Sequence, residues 1–149
     1  MAAYFLDSSA LVKRYVTETG TAWVTGLLDP RARNRLYIAR ITGAEVTAAL
    51  TRRERGGHLS AFDAAAAIAL FQHDYATRLR PVEITAALVD DAMTAARTHG
   101  LRGYDAVQLA AALHANSRRL ARKLAPLIFV TADTSLLVAG VAEGLTTDD

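Results

Sequence analysis

The sequence has no cysteine, three prolines among 149 residues, and only two lysines, Lys13 and Lys123. Without cysteine there can be no disulfide, no zinc–thiolate site and no thiol nucleophile. No apolar run approaches the roughly 18 residues of a membrane span. The opening Met1-Ala-Ala-Tyr-Phe-Leu-Asp7 is too short and too soon acidic for a signal peptide. The expectation is a soluble, cytosolic protein. No Gly-, Ser- or Pro-rich linker and no repeat interrupts the chain, so residues 1–149 are expected to form one domain. At 52% apolar residues it can bury a core without staples.

Because lysine is so scarce, fifteen of the seventeen basic residues are arginines, against fifteen acids. A guanidinium fork pairs with two phosphate oxygens at once. Composition therefore permits a nucleic-acid partner without requiring one.

Short apolar runs alternate with longer helical stretches, the pattern of an α/β fold with a central, mainly parallel sheet flanked by helices. Strands are predicted at 3–7, 36–39, 81–84 and 127–131, with the tail from Gly144 either an edge strand or frayed. Helices are predicted at 8–16, 20–28, 42–55, 60–79, 85–99, 105–116 and 133–139. Pro30 and Pro81 stop two of them, and Gly56-Gly57 closes a third.

Four acids fall at the ends of strands or the starts of helices. Asp7 ends the first strand, Glu45 lies in the first turn after the second, Asp105 opens an almost wholly apolar helix, and Asp133 follows the last core strand. In open parallel sheets, ligands bind outside the carboxyl ends of the strands, where residues distant in sequence converge. Each acid also has a plain structural reading. Aspartate is a favoured helix cap, Thr42-Gly-Ala-Glu45 has the form of a capping box, and Asp105-Ala-Val-Gln108 resembles one. Against four independent caps stand the apolar settings of Asp7 and Asp105, where an unpaired charge is costly. Carboxylates gathered at one edge repel unless a cation sits among them, and hard oxygen ligands select Mg²⁺ or Mn²⁺.

These residues carry a family likeness. Phe5-Leu-Asp-Ser-Ser-Ala-Leu11, Ile41-Thr-Gly-Ala-Glu-Val-Thr-Ala-Ala-Leu50, Gly100-Leu-Arg-Gly-Tyr-Asp-Ala-Val-Gln-Leu-Ala-Ala-Ala112 and Phe129-Val-Thr-Ala-Asp-Thr-Ser-Leu136 follow one another in family order. The chain resembles PIN-domain ribonucleases, specifically the VapC toxins of toxin–antitoxin pairs, over essentially its whole length. The resemblance implies a PIN-like domain and an acidic quartet of Asp7, Glu45, Asp105 and Asp133 around one or two Mg²⁺ or Mn²⁺ ions. Asp7 and Asp105 would be the direct ligands, with Glu45 acting directly or through water; Asp133 stands where members vary most. Ser8 or Ser9, and Thr131, would supply hydroxyl contacts, with helix capping or strand-end hydrogen bonding the alternative for each and the preferred reading for Ser9. It further implies in-line hydrolysis of RNA to 5′-phosphate and 3′-hydroxyl ends, a VapB-type antitoxin whose C-terminal segment lies across a shallow apolar groove, and a homodimer.

With the quartet set aside, seventeen basic residues face eleven acids. Lys13, Arg14, Arg52 and Arg102 lie near the quartet and are candidate RNA contacts; solvated surface charge is the alternative for each. Arg118, Arg119, Arg122 and Lys123 form a second cluster, read as solvated. Tyr104 is expected to pack beside Asp105 rather than stack on a base. His58, His73, His99 and His114 are read as structural.

Two rival phosphoryl-transfer classes fit poorly. A haloacid-dehalogenase-type phosphatase needs a second aspartate at position 9, which is Ser9. A receiver domain needs an acidic pair near the first strand, where this chain has Asp7 alone, and a lysine in a stretch where none occurs between Lys13 and Lys123. A catalytically silent PIN-fold module that binds RNA or a partner is the remaining alternative.

Overall fold

The computed structural model describes residues 1–148. Five parallel strands form one sheet: β1 (Ala3–Leu6), β2 (Arg35–Ala39), β3 (Leu79–Val82), β4 (Ile128–Val130) and β5 (Thr146–Asp148), in the order β3-β2-β1-β4-β5. The tail thus adds an edge strand beside β4. Seven helices accompany the sheet: α1 (Ser8–Leu11), α2 (Thr21–Leu27), α3 (Thr42–Arg55), α4 (Ala61–Thr77), α5 (Ala86–His99), α6 (Gly103–Ala121) and α7 (Thr134–Ala142). None of them is long and apolar enough to cross a membrane.

Period-two alternation divides the core into two layers. Ala3, Phe5, Tyr37, Ala39 and Phe129 face α5, α6 and α7. Tyr4, Leu6, Leu36, Ile38 and Val130 face α1 to α4. Phe5 and Phe129, paired in register, stack with ring centroids 5.9 Å apart. Both faces are covered, as a parallel sheet requires.

Three boundaries depart from expectation. The predicted helix 8–16 is a single turn, α1, followed by a 3₁₀ turn at Val12–Arg14. The third strand is Leu79–Val82, not 81–84. A residue before proline is forced out of the helical region, so Arg80 is already extended and Pro81 ends up inside the strand. The missing N–H is tolerated because β3 is an edge. Helix α6 runs from Gly103, two residues before Asp105, and ends five residues beyond Asn116.

Candidate active site

All strands run the same way, so the turns after β1, β2 and β4 open on one edge. Asp7 leaves β1 there, its N–H donating to Val130 O at 3.2 Å. It caps α1, with Oδ1 accepting from Ala10 N at 2.9 Å. Ser9 Oγ donates to Oδ1 at 2.7 Å and lies 2.9 Å from Oδ2, and Thr131 Oγ1 donates to Oδ2 at 2.6 Å. Every one of these donors is neutral, and Asp7 is 2% exposed. Burial outweighs the hydrogen bonds and pushes its carboxyl up to about 6, with the charge of Asp105 adding to the rise.

Glu45 is not the partner in a capping box. Its Oε2 accepts from Ser8 Oγ at 2.9 Å and its Oε1 from Gln108 Nε2 at 2.8 Å. Nor does Gln108 cap its own helix. Its amide also donates to the buried Thr42 Oγ1 at 2.9 Å, tying α6 to α3. Helix α3 begins after Ile41 and α6 after Arg102, neither with a side-chain cap. Both apparent capping signatures are therefore contacts between segments. Gln108 was not anticipated as a site residue. Its signal was present: a lone amide in an otherwise apolar stretch must find a partner once buried.

Asp105 lies in the first turn of α6, partly buried. Desolvation raises its carboxyl, the charge of Asp133 raises it further, and Arg102 works the other way. Asp133 caps α7, accepting from Leu136 N at 2.8 Å, and its own N–H donates to Thr131 Oγ1 at 3.1 Å. Asp105 is thus the acid whose charge is felt together with that of Asp7 and of Asp133. Among the described residues no three acidic or histidine side chains are placed close enough together to hold a metal ion as they stand. No basic side chain among them makes an ion pair with Asp7, Glu45, Asp105 or Asp133.

A groove of about 750 Å³ leads away from Ser8, Ser9 and Glu45 along α3 to Arg52, Arg53 and His58, with Tyr104 on its wall. Tyr104 is 64% exposed, not packed beside Asp105 as expected, because α6 begins earlier and its first turn stands clear of the core. Arg52 lines the groove and Arg102 is exposed at the start of α6. Lys13 Nζ donates to Thr19 O at 2.9 Å, beside a smaller recess containing Trp23 and Thr131. Arg14 is turned away: the 3₁₀ turn directs it to Asp74, Nε to Oδ2 at 2.6 Å, so it is not a free cation for RNA. Of the histidines, His99 pairs with Glu143 and His114 with Asp91.

The PIN domain family model matches residues 4–142. Ribonuclease VapC45 of Mycobacterium tuberculosis (strain CDC 1551 / Oshkosh) is 38% identical over 113 residues, 76% of each chain. Ribonuclease VapC49 of Mycobacterium tuberculosis (strain ATCC 25618 / H37Rv) gives the same figures, 38% over 113 residues and 76% of each chain. Among solved structures, PAE2754 from Pyrobaculum aerophilum matches with a TM-score of 0.63 and 25% identity, over 98% of this chain and 89% of that one. VapBC2 from Rickettsia felis, solved bound to a DNA fragment from their promoter, matches in fold with a TM-score of 0.60 at 14% identity, over 98% and 97%. Fold and sequence likeness agree: the chain belongs to the PIN-domain family, among the VapC ribonucleases.

Proposed function

We propose that the chain is the toxin of a toxin–antitoxin pair, an endoribonuclease dependent on Mg²⁺, for which Mn²⁺ substitutes. The observation that carries this reading is Asp7, a buried carboxylate answered only by neutral donors at the edge where Glu45, Asp105 and Asp133 also arrive. The VapC relatives supply the substrate class.

In donor chemistry, though not as a ready-made cluster, the residues suit a hard divalent ion. The donors are carboxylate and hydroxyl oxygens; burial raises the carboxyls of Asp7 and Asp105, and among the described residues neither makes an ion pair. Asp7 and Asp105 would hold the ion, with Asp133 and Glu45 beside them. When bound, such an ion lowers the pKa of water and offsets charge developing on the phosphate. The chain's own contribution is preorganisation. Ser9 and Thr131 fix both oxygens of Asp7, and Ser8 and Gln108 fix both oxygens of Glu45, so neither acid has to be ordered during the reaction. Arg52 and Arg53 offer phosphate contacts along the groove, Tyr104 an exposed ring for a base, and Arg102 and Lys13 flanking charge. In-line attack by water leaves 5′-phosphate and 3′-hydroxyl ends.

The test is cleavage of total cellular RNA by the purified chain with Mg²⁺, with EDTA, and with Asp7→Asn or Asp105→Asn. Discrete fragments only from the wild type with metal are expected. Equal cutting by the Asn variants, or none by the wild type, sinks the quartet and leaves a binding module. A VapB-type antitoxin and a homodimer complete the reading. The exposed apolar residues Phe62 on α4, Met93 on α5 and Val138 on α7 offer surface for both. Co-purification with the product of a neighbouring small reading frame, and the mass of the purified chain in solution, test the two separately.

A further inference from the structure

At the far end of α6 from Asp105, four arginines surround a recess of about 270 Å³ between that helix and the edge strand β3. Arg80 comes from β3, and Arg118, Arg119 and Arg122 from the last turn of α6 and the residue that closes it. Among the described residues no acidic side chain lines the recess. Fourteen residues separate Asp105 from Arg119, about 20 Å along a helix rising ~1.5 Å per residue, so the recess is distinct from the acidic edge.

The buried member sets this cluster apart from ordinary surface charge. Arg119 is 8% exposed. Its Nε donates to Ala125 O at 2.8 Å, Nη1 lies 3.4 Å from Tyr37 Oη, and the guanidinium sits over the Tyr37 ring at 5.9 Å. These contacts satisfy donors but do not neutralise charge, and among the described residues no carboxylate makes an ion pair with it. A buried cation is ordinarily paired. The helix dipole accounts for cations in a final turn, but not for one that is buried, nor for Arg80 arriving from a strand.

The backbone holds the group together. Arg118 and Arg122 lie one turn apart on the same face. Lys123 adopts a left-handed conformation (φ 57°), with Lys123 N donating to Leu120 O and Leu124 N to Arg119 O. This Schellman closure ends the helix on a fixed turn, so Arg122 and Leu124 both line the recess.

We propose that Arg80, Arg118, Arg119 and Arg122 form a phosphate-binding site, taking a phosphate group either from an oligonucleotide backbone or from a small phosphorylated ligand. The site stands independently of the ribonuclease reading. If the phosphate belongs to RNA, a stacked strand reaches from the acidic edge to the recess in about six nucleotides at ~3.4 Å each.

The experiment compares the wild type with the double variant Arg118→Ala/Arg122→Ala, whose side chains are exposed, and with Arg97→Ala as a control away from the recess. All are held in EDTA so that nothing is cut. Binding of a labelled 12-nucleotide single-stranded RNA is followed against salt, and binding of pyrophosphate by calorimetry. The expected result is an affinity loss of about tenfold or more in the double variant only, with unchanged melting in the absence of ligand. A loss for the RNA with a salt slope shallower by one to two assigns the site to backbone phosphate. A loss for pyrophosphate alone assigns it to a small phosphate. Binding of both probes at wild-type strength overturns the site, whatever the cleavage assay shows. Conversely, phosphate binding without any cleavage would leave this site standing and remove the ribonuclease reading.

Discussion

Asp7 and Asp74 are the same residue type, each 2% exposed, yet they are answered in opposite ways. Asp74, on α4, receives Arg14 Nε at 2.6 Å and Tyr15 Oη at 2.7 Å. A cation and a phenol meet it, and burial together with that carboxylate holds the Tyr15 proton more tightly than usual. Asp7 receives two hydroxyls and a backbone N–H, and no cation. One charge is neutralised inside the fold and joins α4 to the 3₁₀ turn after α1. The other is held in place with its charge left over. Burial alone does not separate the two carboxylates; the sign of their partners does.

The comparison breaks most sharply on activity. Asp7→Asn keeps the shape and the cap while removing the charge, and should lower metal-dependent RNA cleavage on the order of a thousandfold. Asp74→Asn, measured at a temperature where the variant is folded, should cut RNA within about twofold of the wild type. Comparable losses from both would mean that Asp74 reaches the site.

Stability should divide the other way. Asp74→Ala strands Arg14 and the Tyr15 hydroxyl in a largely buried pocket and should cost about 3 kcal/mol, read as a lower urea midpoint with an unchanged slope. An unfolded aspartate titrates near 3.8, and Asp7 in the fold near 6. Between those values the folded chain holds the extra proton, so stability falls as pH rises through the window. At pH 7.5 the metal-free wild type is then up to about 3 kcal/mol less stable than it would be without that charge. Asp7→Asn should therefore be more stable than the wild type at pH 7.5 without metal, and the gap should close below about pH 4. Millimolar Mg²⁺ should raise the melting temperature of the wild type and leave that of Asp7→Asn unmoved. A variant less stable than the wild type at pH 7.5 would place Asp7 with Asp74.

Much of this arrangement was legible in the residues. Alternating apolar runs placed β1, β2 and β4, and an acid after each apolar strand marked the edge where ligands gather. What misled was local pattern standing in for tertiary contact. Thr42…Glu45 and Asp105…Gln108 carry capping spacing, but Thr42, Glu45 and Gln108 spend their side-chain hydrogen bonds on another segment. Spacing records what a side chain can reach in its own helix and says nothing of what is packed opposite. Arg14, a candidate RNA contact by its nearness to Asp7 in sequence, is ion-paired for the same reason with a partner sixty residues away. The third strand starts before Pro81 rather than at it, because proline forces the preceding residue into extended backbone.

Gln108 supplies the smallest of these tests and bears on how the uncompensated acids are kept in position. Its Nε2 fixes Glu45 and Thr42, while its Oε1 is buried without a hydrogen-bond partner. An unsatisfied buried oxygen is costly, so Gln108→Leu removes that penalty together with two good bonds, and folding stability should change by less than about 1 kcal/mol. Activity should not be so forgiving. Glu45 would keep only Ser8, and loss of an orienting partner should lower cleavage about tenfold and move the Mg²⁺ dependence to higher concentration. Gln108→Glu should do worse, because it sets a second negative charge against Glu45 where an amide stood. If Gln108→Leu cuts RNA as well as the wild type at every Mg²⁺ concentration, Glu45 does not need to be held. The site would then depend on Asp7, Asp105 and Asp133 alone.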